Sequence, residues 1–87
     1  RSRTLISMYT VYLISSVSNP NKRYVGCTSN LEQRLNKHNR GKVKTTKPDI
    51  PWQVDVCISF RDEQKAKDFE CYLKHGSGHA FAKKRFW

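Results

Sequence analysis

The clearest pattern along the chain is at residues 52–60, WQVDVCISF, where apolar and polar positions alternate. Period-two alternation marks a half-buried strand, with Trp52, Val54, Val56, Ile58 and Phe60 sharing one face. Residues 9–15, YTVYLIS, are β-branched and aromatic and predict another strand. The run SVSNPNK after it is dense in turn formers, and RYVGC reads as a short partner strand that completes a hairpin. With the turn centred on Ser18, Tyr12 and Tyr24 stand directly opposite each other and project to the same face.

From Leu31 the period becomes helical. Leu31 and Leu35 define the buried stripe of a helix that reaches about Asn39, opened by Ser29 or Asn30 and closed by Gly41. Residues 40–51, RGKVKTTKPDIP, are basic, contain proline and lack apolar periodicity, so they predict a loop. Asp62 caps a second helix from Glu63 to about His75, with Ala66, Phe69 and Leu73 facing inward. Gly76-Ser77-Gly78 breaks it, and AFAKKRF predicts a short last helix. The order β-β-α-β-α-α implies an α+β fold, a small antiparallel or mixed sheet covered by helices.

Composition narrows the functional classes. At 87 residues the chain is one domain, too short for a TIM barrel, a dinucleotide-binding fold or a two-domain enzyme. Seventeen Lys and Arg against seven Asp and Glu give a net charge of +10, which points to a polyanionic partner. No apolar run approaches the roughly eighteen residues of a membrane span, so no membrane partner is expected. The apolar patch from Met8 to Ile14 alternates, holds two tyrosines and lacks a clean small-residue cleavage site, so it reads as strand rather than signal peptide. Met8 reads as a natural start, with residues 1–7 an N-terminal extension or expression remnant. Three cysteines, Cys27, Cys57 and Cys71, form no CxxC pair and are odd in number, which argues against a disulfide framework. A cytoplasmic location is the expectation.

Several polar residues fall where apolar ones belong. Arg34 and His38 lie at i+3 and i+7 from Leu31, on or beside the buried stripe, and Glu70 borders the stripe of the second helix. A charge at a core margin demands a partner. Either Arg34 and Glu70 form a structural ion pair, or they belong to one site that holds an anion and a cation. For His38 the plain alternative is a helix C-terminal residue favourable to the dipole. The remaining basic residues gather in two groups. Lys37, Arg40, Lys42, Lys44 and Lys47 follow the first helix and its loop, and Lys74, Lys83, Lys84 and Arg85 mark the C-terminal region. As sets they suit backbone phosphates, and Ser77 at a helix start could bind another. Cys71, His75 and His79 have zinc-like spacing, but the glycine break destroys the register and no fourth ligand is apparent. No base-reading module is visible, so sequence specificity is expected to be weak or supplied by a partner.

Taken together these residues resemble the GIY-YIG nuclease family. Thr10-Val11-Tyr12 stands where its first motif would be and Tyr24-Val25-Gly26 where its second would be, eleven residues apart. YVGCTSNLEQRLNKHNRGK is similar to the stretch of small stand-alone members and carries the motif arginine as Arg34; the family's metal-binding glutamate matches Glu70. The resemblance runs from Met8 to Phe86. It departs at Thr10 and Val11, which replace Gly and Ile, at His38, where some members carry tyrosine, and in lacking an obvious late asparagine. It implies a three-stranded antiparallel sheet flanked by helices, and a metal-dependent endonuclease that leaves 5′-phosphate and 3′-hydroxyl ends on DNA.

In that reading Tyr12 is the general base, with Tyr24 beside it positioning water or phosphate. His38 is the alternative base, phosphate ligand or proton shuttle, because its ordinary pKa suits the task better than a phenol's. Arg34 clamps the phosphate, and Glu70 holds one Mg²⁺ or Mn²⁺. Asp68 points to another face of its helix, which argues for one ion rather than two. The competing expectations are a catalytically inactive nucleic-acid-binding module on the same fold and an RNA-directed nuclease. Target choice would rest on DNA shape, a homodimer or a protein partner. Repair, recombination, restriction and mobile-element roles all stay open.

Overall fold

A computed structural model describes residues 8–87, and the expectation for residues 1–7 lies outside them. The strands are β1 (Tyr9–Ser16), β2 (Arg23–Thr28) and β3 (Trp52–Phe60), and the helices are α1 (Leu31–Asn39), α2 (Glu63–Lys74) and α3 (Gly76–Arg85). The predicted loop between α1 and β3 carries a single 3₁₀ turn, Lys47–Asp49. The sheet is antiparallel in the order β2-β1-β3, so the fold is α+β with β1 at its centre.

Central placement explains why β1 is buried from Val11 through Ser16. Alternate residues of β1 serve different layers. Val11 and Leu13 pack with Val25, Ala66, Leu73 and Ala82, joining the sheet to α2 and α3. Tyr12 and Ile14 pack with Trp52 on the other face, where Tyr24, Leu31, Leu35 and Val54 complete the layer beneath α1. Both helices open as predicted: the Asn30 side chain accepts from the Gln33 backbone N–H, and the Asp62 side chain accepts from that of Gln64.

Three expectations are corrected. The apolar residues of β3 do not share one face. A register shift opposite Leu13 and Ile14 pairs Ile14 with Val54 but Leu13 with Val56, so one residue is inserted between them. Trp52 and Val54 therefore face α1, whereas Val56 and Phe60 pack with the α2–α3 layer. The alternation survives in the burial pattern because the sheet is covered on both faces.

Tyr12 and Tyr24 are not directly opposite. Tyr12 pairs with Gly26 and Ile14 with Tyr24, so the two tyrosines are diagonal neighbours. The turn is centred one residue later than Ser18. That offset moves the register by two residues, which preserves the face both rings share.

Gly76-Ser77-Gly78 follows the end of α2, as expected of a break, but the last helix starts there rather than at Ala80: these residues are the first turn of α3. Gly76 takes a positive φ of 53°, at the point where the chain leaves α2 through the extended His75. Gly78 is buried, and a Cβ there would collide with the Tyr72 carbonyl. The two glycines let α3 turn back tightly against the end of α2.

Candidate active site

The α1 face of the sheet collects the polar residues singled out in the sequence. Tyr12 comes from the central strand, Tyr24 from the neighbouring edge strand, and Arg34 and His38 from successive turns of α1. Their rings are in contact: Tyr24 lies 5.0 Å from His38 and 6.2 Å from Tyr12, centroid to centroid. Gly26 is what allows this arrangement. It is the cross-strand partner of Tyr12, and a Cβ there would run into the Tyr12 ring.

The hydroxyl of Tyr12 is the hub. Arg34 Nε donates to it at 3.2 Å, and His38 Nε2 lies 2.9 Å from it. Tyr12 and His38 have no exposed surface. Burial raises the Tyr12 pKa above that of a free phenol, so the group is protonated at neutral pH. Burial, followed by the charge of Arg34, lowers that of His38 to about 4, so the imidazole is neutral. Arg34 is held the more firmly protonated, first by its bond to Tyr12. The second nitrogen of His38, Nδ1, lies 2.7 Å from Thr46 Oγ1. The residue expected to meet water is thus sealed, and the residue considered as a phosphate ligand has both nitrogens engaged inside the protein.

Glu70 stands apart from Arg34. Its carboxylate pairs with Lys74 at 2.8 Å, so among the described residues the structural Arg34–Glu70 ion pair does not form. Lys74 also places its ammonium 5.8 Å from the centre of the Tyr24 ring, linking α2 to the edge strand. Glu70 lines a cavity of about 350 Å³ together with Tyr9, Cys27, Thr28, Ser29, Glu63 and Lys67. Burial and then Glu70 push the Cys27 thiol up, which keeps it neutral. Glu63 is a second carboxylate on the same cavity, one the spacing argument did not single out, and it pairs with Lys67 at 3.2 Å on an exposed face. It lies seven residues, two helical turns, before Glu70, and that spacing was the available signal. Asp68 instead accepts from Gln64 on an exposed face.

A depression lined by Cys27, Thr28, Gln33, Arg34 and Lys37 joins this cavity to a second one, of about 490 Å³, lined by Gln33, Arg34, Asn36, Lys37, Arg40, Lys42 and Val43. The shared lining residues make one groove, with Glu63, Lys67 and Glu70 at one end, Arg40 and Lys42 at the other, and Arg34 between. Of the basic residues singled out, Lys37, Arg40 and Lys42 line it. Lys44, Lys47, Ser77, Lys83, Lys84 and Arg85 are exposed and do not contribute to that lining.

The donor set at Glu70 is sparse and hard: one partly buried carboxylate, a second nearby in Glu63, and the hydroxyls of Tyr9, Thr28 and Ser29. Among the described residues no group of three or more His, Cys, Asp or Glu side chains converges. This chemistry fits a Mg²⁺ or Mn²⁺ ion that keeps most of its waters, and not a zinc cage. A metal ion at Glu70 would share or displace the i,i+4 ion pair that Lys74 makes with this carboxylate. Cys27, Cys57 and Cys71 are free thiols, and no described helix is long and apolar enough to cross a membrane.

Comparison with known proteins sets this geometry in context. The GIY-YIG catalytic domain family matches residues 8–84. The chain is 36% identical over 75 residues to the structure-specific endonuclease subunit SLX1 of Debaryomyces hansenii, an alignment covering 77% of this chain and 21% of that protein. It is 37% identical over 79 residues to the same-named protein of Malassezia globosa, covering 83% and 18%. A UPF0213 protein of Lactococcus lactis is 38% identical over 53 residues, covering 60% of this chain and 54% of that protein. The chain therefore spans about a fifth of the length of these SLX1 relatives. The solution structure of a UPF0213 protein from Bacillus halodurans shares the fold, with a TM-score of 0.54 at 22% identity over 91% of this chain and 86% of that one.

Proposed function

The chain belongs to the GIY-YIG catalytic domain family, and on that basis we propose that it is a DNA endonuclease. It hydrolyses phosphodiester bonds with one divalent cation and leaves 5′-phosphate and 3′-hydroxyl ends. The observation that carries this reading is the setting of Arg34. Its Nε is tied to a buried phenol, and its guanidinium sits midway along a groove with a carboxylate at one end and basic side chains at the other.

The division of labour follows from burial. With Nε–H committed to Tyr12 and the Tyr24 hydroxyl also beside the guanidinium, the remaining N–H groups of Arg34 are left to donate to phosphate oxygens. Tyr12 serves as the anchor of that clamp. The base is Tyr24, the phenol that keeps exposed surface, with the Arg34 guanidinium beside it and the Lys74 ammonium over its ring. Having first released its own proton to solvent, the Tyr24 oxygen takes a proton from the attacking water as the O–P bond forms and the P–O3′ bond breaks, and the departing 3′-oxygen is protonated from solvent. A divalent cation at Glu70, when bound, supplies charge stabilisation for the non-bridging and leaving oxygens. His38 stays out of the proton transfer. Burial raises the Tyr12 phenol and lowers the His38 imidazole to about 4, so a proton does not pass from the one to the other.

Lys37, Arg40 and Lys42 hold the flanking backbone without reading bases. The likeness to structure-specific endonuclease subunits supports a substrate chosen by DNA shape, with a protein partner or a second copy of the chain aiding selection. The test is supercoiled plasmid incubated with the protein and Mg²⁺. Wild type nicks it, chelation of the metal or Arg34→Ala stops nicking, and RNA of matching sequence is spared. Tight plasmid binding without nicking would point to the inactive module instead.

A further inference from the structure

The hydrogen bonds around Tyr12 continue past His38 to a residue that no motif marks. Thr46 sits in the basic loop between α1 and β3, yet it is 1% exposed. Two hydrogen bonds hold it there. Trp52 Nε1 donates to the Thr46 carbonyl at 2.8 Å, and the Trp52 backbone N–H donates to Asn39 Oδ1 at 2.6 Å, which ties the loop between the end of α1 and the start of β3. The Thr46 hydroxyl is thereby delivered to His38 Nδ1 at 2.7 Å.

The direction of each bond can be assigned from its ends. Arg34 has only donors, so Nε–H donates to the Tyr12 oxygen. Donation by the Thr46 hydroxyl to the Val43 carbonyl, 3.4 Å away, would leave its oxygen to accept from His38 Nδ1–H at 2.7 Å. A neutral imidazole with its proton on Nδ1 presents a lone pair at Nε2, and the Tyr12 O–H donates to it at 2.9 Å. The result is one chain of donors running the same way, from Arg34 through Tyr12, His38 and Thr46 to a backbone carbonyl. Such a chain is mutually reinforcing. In the other tautomer, Nε2–H donates to Tyr12, and the phenolic proton must compete with Arg34 Nε–H for the same space.

We propose that Thr46 is a positioning residue for Arg34, acting through the tautomer of His38 and the hydroxyl of Tyr12. This rests on the reading of Arg34 as the phosphate clamp. Tyr12, Tyr24 and Arg34 are the titratable groups facing the imidazole, and none is a carboxylate that would fix the tautomer in place of Thr46. The low pKa of His38 keeps it neutral, as the chain requires.

The experiment is long-range ¹H–¹⁵N NMR of the His38 imidazole in wild type, Thr46→Ser and Thr46→Val, with cleavage of duplex DNA measured on the same proteins. Wild type and Thr46→Ser should hold the proton on Nδ1 and cleave within a few-fold of each other. Thr46→Val should move population to the Nε2–H tautomer and lower kcat/KM by about tenfold to a hundredfold, the usual effect of removing a group that orients an active-site histidine. A Thr46→Val protein with the wild-type tautomer overturns the proposal. So does an equal loss of activity in both variants with the tautomer unmoved, which would mean that Thr46 only packs. Absence of wild-type cleavage would overturn the endonuclease reading, whereas the tautomer measurement needs no activity, so the two failures are distinguishable.

Discussion

Arg34 Nε donates to the hydroxyl of Tyr12 at 3.2 Å, and Tyr12 is fully buried. A surface arginine loses about 2 kcal/mol of side-chain freedom when it is fixed in one geometry. Here a rigid partner on the central strand has already restricted it before any phosphate arrives. Preorganised charge of this kind is what a phosphoryl-transfer site needs.

Removing that anchor should separate binding from chemistry. Tyr12→Phe keeps the ring and the packing but leaves Arg34 Nε and His38 Nε2 without their shared partner. Single-turnover cleavage should fall about a hundredfold, while duplex affinity, carried by Lys37, Arg40 and Lys42, stays within a few-fold of wild type. Parallel cleavage and filter-binding assays measure both.

Gly26 should tolerate no side chain. Gly26→Ala would place a methyl group against the Tyr12 ring in the most buried part of the sheet. A stability loss of about 1–3 kcal/mol is expected from overpacking of this kind. Urea denaturation reads it directly, and nuclease activity should fall further than stability alone explains because the Tyr12 hydroxyl moves with the ring.

Acid should destabilise the fold through His38. Its folded-state pKa of about 4 lies below the ordinary 6.5, so the unfolded chain takes up the proton first as pH falls. The contribution of this group is complete above about 6.5 and is lost as pH falls toward 4. Between pH 7 and pH 5 the loss is about 2 kcal/mol. Thermal unfolding of His38→Gln, which cannot titrate, should show a correspondingly flatter dependence over that window.

Much of this architecture is legible in the chain. The strand and helix segments follow from period and caps, and Tyr12, Tyr24, Arg34 and His38 share a face as their spacing implies. The bulge in β3 is not legible, because alternation reads the same whether one face is covered or two. The start of α3 is hidden because Gly76 and Gly78 read as breakers, while their use here is a tight turn and a close helix contact. Thr46 escapes because a buried threonine in a basic, proline-containing loop has no periodic neighbours to betray it. The burial of Tyr12 is equally silent, since it depends on α1 crossing that face of the sheet.

Affinity for DNA should be strongly salt dependent and should divide among the groove residues. A triple Lys37→Gln, Arg40→Gln, Lys42→Gln protein should lower the slope of log affinity against log salt by about 2–3, near 0.9 for each phosphate that is no longer neutralised. Lys83→Gln and Lys84→Gln, on residues outside the groove, should change that slope less. Fluorescence anisotropy across a salt series measures both.

The most direct test of the account compares wild type with Glu70→Gln on the same labelled branched DNA, scoring binding and cleavage in Mg²⁺. Both proteins should bind comparably, wild type should cut to 5′-phosphate and 3′-hydroxyl ends, and Glu70→Gln should not cut. Cleavage by Glu70→Gln at the wild-type rate, or wild-type protein that binds the branched DNA without ever cutting it, would contradict the account.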